Sequence, residues 1–189
     1  MQEKIFKIDQ GKNFGKWGDS ISKLIYYTST EEILKKIDIP DKVADYGGGN
    51  GILKEFIKNI KTIDLDGSKK PDIKDNILNH VGNYDLIIIR FVLHYLNDYD
   101  VIKLFNKINS FHKGKVLVIQ FINDDLKSKY KNSINEFKYF RTREQMIKLL
   151  PDNKIIYSKD YIVTSKFYKN RLKLNNAIKH IETLNAYYF

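Results

Sequence analysis

The chain contains no cysteine. Disulfides and thiolate metal sites are therefore excluded, and a reducing compartment, the cytoplasm or its equivalent, is expected. Its four histidines stand at positions 80, 94, 112 and 180, too scattered for paired metal spacing, so no structural metal is expected. Long apolar runs are also missing. Leu86–Ile89 and Val116–Ile119 are the length of strands, well short of a membrane span, and no membrane partner is expected. Met1-Gln2-Glu3-Lys4 does not open a signal peptide, and no internal repeat or second domain is visible.

What is present is an ordinary globular composition with a basic balance. Lys and Arg number 33 against 23 Asp and Glu, a formal charge of +10 over 189 residues. This length suits one domain with a sizeable core. From Lys154 onward seven basic residues (154, 159, 166, 169, 171, 173 and 179) face only Asp160 and Glu182. Such a surplus fits either a solvated face or a surface for an anionic substrate, nucleic acid included.

The most informative stretch is Val43-Ala44-Asp45-Tyr46-Gly47-Gly48-Gly49-Asn50-Gly51. A short apolar strand runs into four glycines, and Ile52-Leu53-Lys54-Glu55-Phe56-Ile57 resumes at helical spacing, predicting a helix from Gly51 to about Asn59. Strand, glycine turn and helix let a backbone approach a ligand closely and aim N–H groups at it. A dinucleotide fingerprint would place Gly or Ala where Ile52 stands, which disfavours a nicotinamide-dependent oxidoreductase. A P-loop would need Gly-Lys-Ser/Thr, and none follows.

The pattern that remains, Asp45, Tyr46, Gly47, Gly49, Gly51, resembles the cofactor loop of class I S-adenosylmethionine-dependent methyltransferases. A second match is Tyr84-Asp85, the run Leu86–Ile89, then Arg90-Phe91-Val92-Leu93-His94-Tyr95-Leu96, which resembles strand four and its exit turn in the small-molecule (type 11/12-like) branch of that family. The resemblance covers about residues 41–174. It implies an α/β fold, a Rossmann-like three-layer sandwich with a seven-stranded, mainly parallel sheet and an antiparallel last strand. Outside that range, residues 1–40 read as an N-terminal helical cap or lid segment, in which Trp17, Tyr26 and Tyr27 either cover a pocket or cap the core, and 175–189 as a C-terminal tail or short helix.

The implied cofactor is S-adenosylmethionine, with S-adenosylhomocysteine as product. Asp45, Gly47, Gly48, Gly49 and Gly51 would hold it at the first loop. A carboxylate ending strand two (60–66) can accept both ribose hydroxyls, because two oxygens match two vicinal donors; the resemblance, which sets that acid in a context like Ile63-Asp64-Leu65, makes Asp64 the first choice and Asp66 the second, with Leu65 beside them. At the exit of strand three (71–78) the resemblance places Asp75 on the adenine amino group, Ile77 on the ring, and Asn76 within reach. Arg90 and Phe91 would lie near cofactor and substrate. If the acceptor needs a base, His94 is the candidate, its alternative being a helix-start histidine bonded to backbone; Arg90 would bind an acceptor anion or pair with a structural acid.

Farther along, Asp98–Ser110 reads as a helix with Val101, Ile102, Leu104, Phe105 and Ile108 inward, and Val116–Phe121 as strand five. Asn123 to about Asn135 reads as a mobile cover, and Thr142 as a helix cap. Lys154–Val163 and Ser165–Leu174 read as an antiparallel closing pair. Three functions compete. One is methyl transfer to a small molecule or peptide by a monomer or homodimer. Another is methylation of RNA through the basic C-terminal part. A third is a non-catalytic partner that binds the cofactor. The Asn/Asp-Pro-Pro-Tyr/Phe motif of amino-methylating nucleic-acid enzymes is absent where Arg90-Phe91-Val92-Leu93 stands.

Overall fold

In the computed structural model the described residues are 29–122, 139, 141–150, 154–163 and 180–189. The described part of helix α1, residues 29–34, leads to strand β1 (Val43–Tyr46), followed by β2 (Ile60–Asp64), β3 (Ile73–Lys74) and β4 (Leu86–Arg90). Helix α2 (Asp98–Phe111), β5 (Lys115–Ile122), helix α3 (Arg143–Leu149), β6 (Lys154–Val163) and β7 (His180–Tyr188) complete the order. One seven-stranded sheet runs β3-β2-β1-β4-β5-β7-β6. The pairs from β3 to β5 are parallel; β7 is antiparallel to both β5 and β6.

Leu86, Ile87, Ile88 and Ile89 have no exposed surface, because β4 is central and covered on both faces. On one face Ala44, Tyr46, Ile63, Ile87, Ile89, Val116 and Val118 pack against Val101, Leu104, Phe105 and Ile108 of α2 and Met146 of α3. On the other, Val43, Ile60, Leu86, Ile88, Leu117 and Ile119 meet Ile33, Leu34, Leu53 and Ile57. Each fully buried side chain of this kind contributes roughly 1.5–3 kcal/mol. The result is the three-layer arrangement and the antiparallel last strand expected from sequence.

Four local expectations are corrected. The glycine stretch leads not to a helix reaching Asn59 but to a single 3-10 turn, Ile52–Glu55. The chain must enter β2 at Ile60, which leaves too little length for a nucleated α-helix. In α2 the inward stripe is Val101, Leu104, Phe105 and Ile108, while Ile102 lies one position off it and is 46% exposed. Strand two ends at Asp64, before Asp66. The partner of β6 is 180–188, so that stretch is a strand rather than a tail or short helix. Leu184 and Ala186 on one face and Asn185 and Tyr187 on the other are all buried, because β7 sits inside the sheet. The expected strand 165–174, the lid residues Trp17, Tyr26 and Tyr27, and the cover 123–135 lie outside the described residues. Thr142 caps α3 as expected, in a reciprocal capping box with Gln145.

Candidate functional site

Parallel register decides which residues meet. Tyr46 pairs with Ile63 on one side and Ile89 on the other, so Gly47, Asp64 and Arg90 all emerge at the carboxyl edge of the sheet. Gly47 N–H donates to Ile63 O (2.8 Å), carrying the ladder one residue past β1. The chain leaves β1 toward β2 and β3 on one side and toward β4 and β5 on the other. This is the switch point at which open α/β sheets form a ligand crevice.

Gly47, Gly49 and Gly51 have φ of 72°, 52° and 71°, the left-handed region that glycine enters without a Cβ penalty. Their neighbour Gly48 is required for space: a Cβ there would lie 2.5 Å from Asp45 Cγ and 2.7 Å from Thr62 Cγ2. At Gly49 a Cβ would meet nothing within 4 Å among the described residues. The loop is thus packed from beneath at Gly48 and open above at Gly49.

Asp64 ties this loop to the end of β2. Its Oδ2 accepts from Gly49 N–H and its Oδ1 from Asp66 N–H, both at 2.8 Å. Each oxygen retains a lone pair for another donor. Asp66 instead caps a short turn, its Oδ1 accepting from Ser68 N–H at 2.9 Å. Leu65, between them, is 65% exposed, an apolar surface beside the carboxylate. A brace that sequence reasoning missed lies below: Asp72 accepts from Thr62 N–H (2.8 Å) and from Lys54 Nζ (2.9 Å). Its partners are ten and eighteen residues away, so no local pattern marks it.

Asp45 is buried under the loop. Burial pushes its carboxyl up to about 7, Arg90 opposes the rise, and Asp64 adds to it. Below the unfolded value of 3.8 both states hold the proton, and between 3.8 and about 7 only the folded state does. Stability from this group is therefore lost as pH rises through that window and is flat above it. Replacing Asp45 with Asn should flatten the decline between pH 3.8 and about 7 in denaturant titrations. An unchanged slope would show that Asp45 is not the group responsible.

At the end of β4, Phe91 has φ 56°, a conformation that side chains other than glycine rarely adopt and that concentrates at functional sites. Its N–H bonds Ile119 O (2.9 Å), its ring stacks on Phe121 at 5.2 Å, and the Arg90 guanidinium carbon sits 5.1 Å from its centroid. Phe91 and Arg90 therefore form the rim between β4 and β5.

The strand-three residues divide. Asp75 stands next to Asp64, its N–H donating to Asp64 O (3.1 Å). Its carboxylate accepts from buried His80 Nδ1 (2.8 Å) and from Asn76 N–H (2.7 Å). These two bonds, that from His80 foremost, hold its carboxyl below the usual range. The Asn76 side chain accepts from Leu78 N–H within its own turn, and Ile77 is buried in the core. The structure does not bring either of them to the crevice in the way it brings Asp64 and Leu65.

His94 is buried after β4, with Gln120 Nε2 3.2 Å from its Nδ1. Burial lowers its pKa to about 3, so it is neutral at ordinary pH and a poor proton acceptor. The segment around it is held by Arg141, another residue that sequence reasoning missed. Arg141 donates to Leu93 O (2.7 Å), Leu96 O (2.6 Å) and Asp98 Oδ1 (2.8 Å). Among the described residues no group of three His, Asp or Glu side chains is arranged to hold a metal, and no helix is long and apolar enough to cross a membrane.

No family model and no curated protein matches the chain. Solved structures do. An S-adenosylmethionine-dependent methyltransferase from Archaeoglobus fulgidus matches with a TM-score of 0.61 at 15% identity, over 88% of this chain and 92% of that one. Magnesium protoporphyrin IX methyltransferase from Synechocystis, with bound S-adenosylhomocysteine, matches with 0.60 at 13% identity, over 95% and 89%. A coclaurine N-methyltransferase bound to N-methylheliamine and S-adenosylhomocysteine matches with 0.59 at 13%, over 96% and 79%. The fold is that of the class I, Rossmann-like methyltransferases.

Proposed function

We propose that the protein is an S-adenosylmethionine-dependent methyltransferase acting on a small molecule or peptide. The observation that carries this is the crevice at the switch point, where an open glycine loop, a strand-end carboxylate and an exposed leucine meet on a sheet of methyltransferase topology. The residues fit the cofactor. Gly49 leaves unfilled space above the backbone, Asp64 has acceptor capacity for vicinal hydroxyls, and Leu65 offers an apolar face to a base. Asp45, Gly47, Gly48 and Gly51 shape the same loop, and Asp75 flanks it.

When bound, the cofactor supplies an already activated methyl group, so the chain's task is to orient a nucleophile in line and exclude water. Arg90 and Phe91 supply the rim on which an acceptor would rest, the guanidinium being suited to a carboxylate or phosphate. We assign His94 a positioning role in the turn after β4, because its buried, neutral ring is a weak base. The two small-molecule methyltransferases among the structural neighbours support a small acceptor. The residues of the basic alternative, Lys166, Lys169, Arg171 and Lys173, lie outside the described part.

Calorimetry with S-adenosylmethionine and S-adenosylhomocysteine tests the cofactor, and transfer of a labelled methyl group to acceptor panels, RNA included, tests the reaction. Asp64→Ala should weaken S-adenosylhomocysteine by about tenfold or more, since hydrogen bonds to a charged acceptor are worth roughly 1.5–3 kcal/mol. Asp66→Ala removes only a turn cap and should change affinity much less. The reverse order would place the ribose contact at Asp66.

A further inference from the structure

Asp75 belongs to a hydrogen-bonded chain that neither the glycine loop nor the methyl-transfer chemistry requires. Its Oδ2 lies 2.8 Å from His80 Nδ1, and His80 Nε2 lies 3.0 Å from the Tyr84 hydroxyl. The histidine side chain is only 7% exposed, against 42% for Asp75. Its ring meets the edge of Tyr46 at 5.6 Å and stacks on Tyr84 at 6.0 Å. Gly82 makes room for this arrangement, since a Cβ there would lie 2.6 Å from Tyr84 Cζ.

The direction of the chain follows from its members. A carboxylate only accepts, so His80 Nδ1 must carry the hydrogen and donate to Asp75, while Nε2 and the Tyr84 hydroxyl are paired with each other. The buried histidine has no remaining donor to offer a ligand. Asp75 keeps a half-exposed carboxylate, adjacent to Asp64 through its backbone N–H, whose remaining lone pairs call for a donor.

We propose that His80, backed by Tyr84, is a specificity-determining residue that locks Asp75 as an obligate acceptor, so that the crevice selects a nucleoside whose base presents an amino group over one that presents a carbonyl. This rests on the nucleoside-cofactor reading above. The histidine touches no ligand; it acts through Asp75 by fixing its rotamer and leaving only acceptor positions outward. A base with a carbonyl at the same place would set oxygen against oxygen and leave the outward lone pairs of Asp75 without that donor.

The test compares S-adenosylhomocysteine with S-inosylhomocysteine, which differ by an amino group against a carbonyl, by calorimetry on the full chain. The wild type should prefer the adenosyl compound by about tenfold or more. His80→Ala should cut that preference to about threefold or less, as a freed Asp75 rotates. His80→Asn, which keeps a donor near the Nδ1 position, should retain most of it, and Tyr84→Phe should fall between. If His80→Ala does not fold, the ordering of wild type, His80→Asn and Tyr84→Phe still decides. A wild type that binds both compounds equally well overturns the proposal while leaving the cofactor site standing. So does a His80→Ala protein that weakens both in proportion. A wild type that binds neither overturns the cofactor reading and this inference with it.

Discussion

A Gly49→Leu protein is expected to fold and to lose S-adenosylhomocysteine binding by about a hundredfold or more, equivalent to about 2.7 kcal/mol. Among the described residues a Cβ at this position meets no atom within 4 Å, so the new side chain projects into the space above the loop rather than into the core. Its cost to stability is the left-handed backbone at φ 52°, roughly 1–2 kcal/mol for a residue with a Cβ. Gly48→Ala is the matched contrast. Its single methyl would press on Asp45 and Thr62 at 2.5–2.7 Å, and overpacking of that kind costs about 1–3 kcal/mol. Neighbouring glycines should thus separate, one variant failing chiefly in binding and the other chiefly in thermal stability. Near-wild-type affinity in Gly49→Leu would show that no ligand sits over this loop.

Arg141→Met should lower the thermal midpoint by about 10 °C, from a loss of about 2–6 kcal/mol at about 2–4 °C per kcal/mol for a chain of this size. Arg141 is only 4% exposed, and its guanidinium satisfies the carbonyls of Leu93 and Leu96 from a single planar fork. Methionine fills much of the volume but leaves both acceptors without this donor, at about 1–3 kcal/mol each where they are buried. The Asp98 end of the fork matters less, since that carboxylate is 69% exposed. Lysine should recover little, because a point charge cannot span carbonyls three residues apart and the carboxylate together. Full recovery by Arg141→Lys in thermal melts would show that charge, not the forked donor geometry, is what counts.

The parts of the site that could be read from sequence are those whose causes are local. Positive φ strongly favours glycine, and so Gly47, Gly49 and Gly51 declare the loop. A strand covered on both faces must be apolar throughout, and so Leu86–Ile89 declares the centre of the sheet. Asp64 is preferred over Asp66 through the family context Ile63-Asp64-Leu65, since the apolar pattern alone does not show that the strand stops at Asp64. What escaped was fixed by contacts distant in the chain. Arg141 reaches Leu93 across 48 residues, and nothing in its neighbours distinguishes it from a surface arginine. His80 looked like an isolated loop histidine until the fold turned its ring between Asp75 and Tyr84. The last strand was misassigned for a related reason. With Asn185 buried on the same face as Tyr187, it lacks the polar-apolar alternation that marks a half-exposed strand, and it does not have the uniform apolarity of β4.

The placement of β7 between β5 and β6 has a consequence for biosynthesis. Translation delivers β6 before β7, yet among the described residues the strand that β6 hydrogen-bonds to is β7. Until residues 180–188 emerge from the ribosome, the nascent chain carries β5 as an open edge with a full row of unpaired amides and carbonyls, an invitation to intermolecular pairing. A polypeptide interrupted before residue 180 would be left with that edge permanently, so truncated products of this protein should be clients of chaperones and proteases rather than smaller folded proteins.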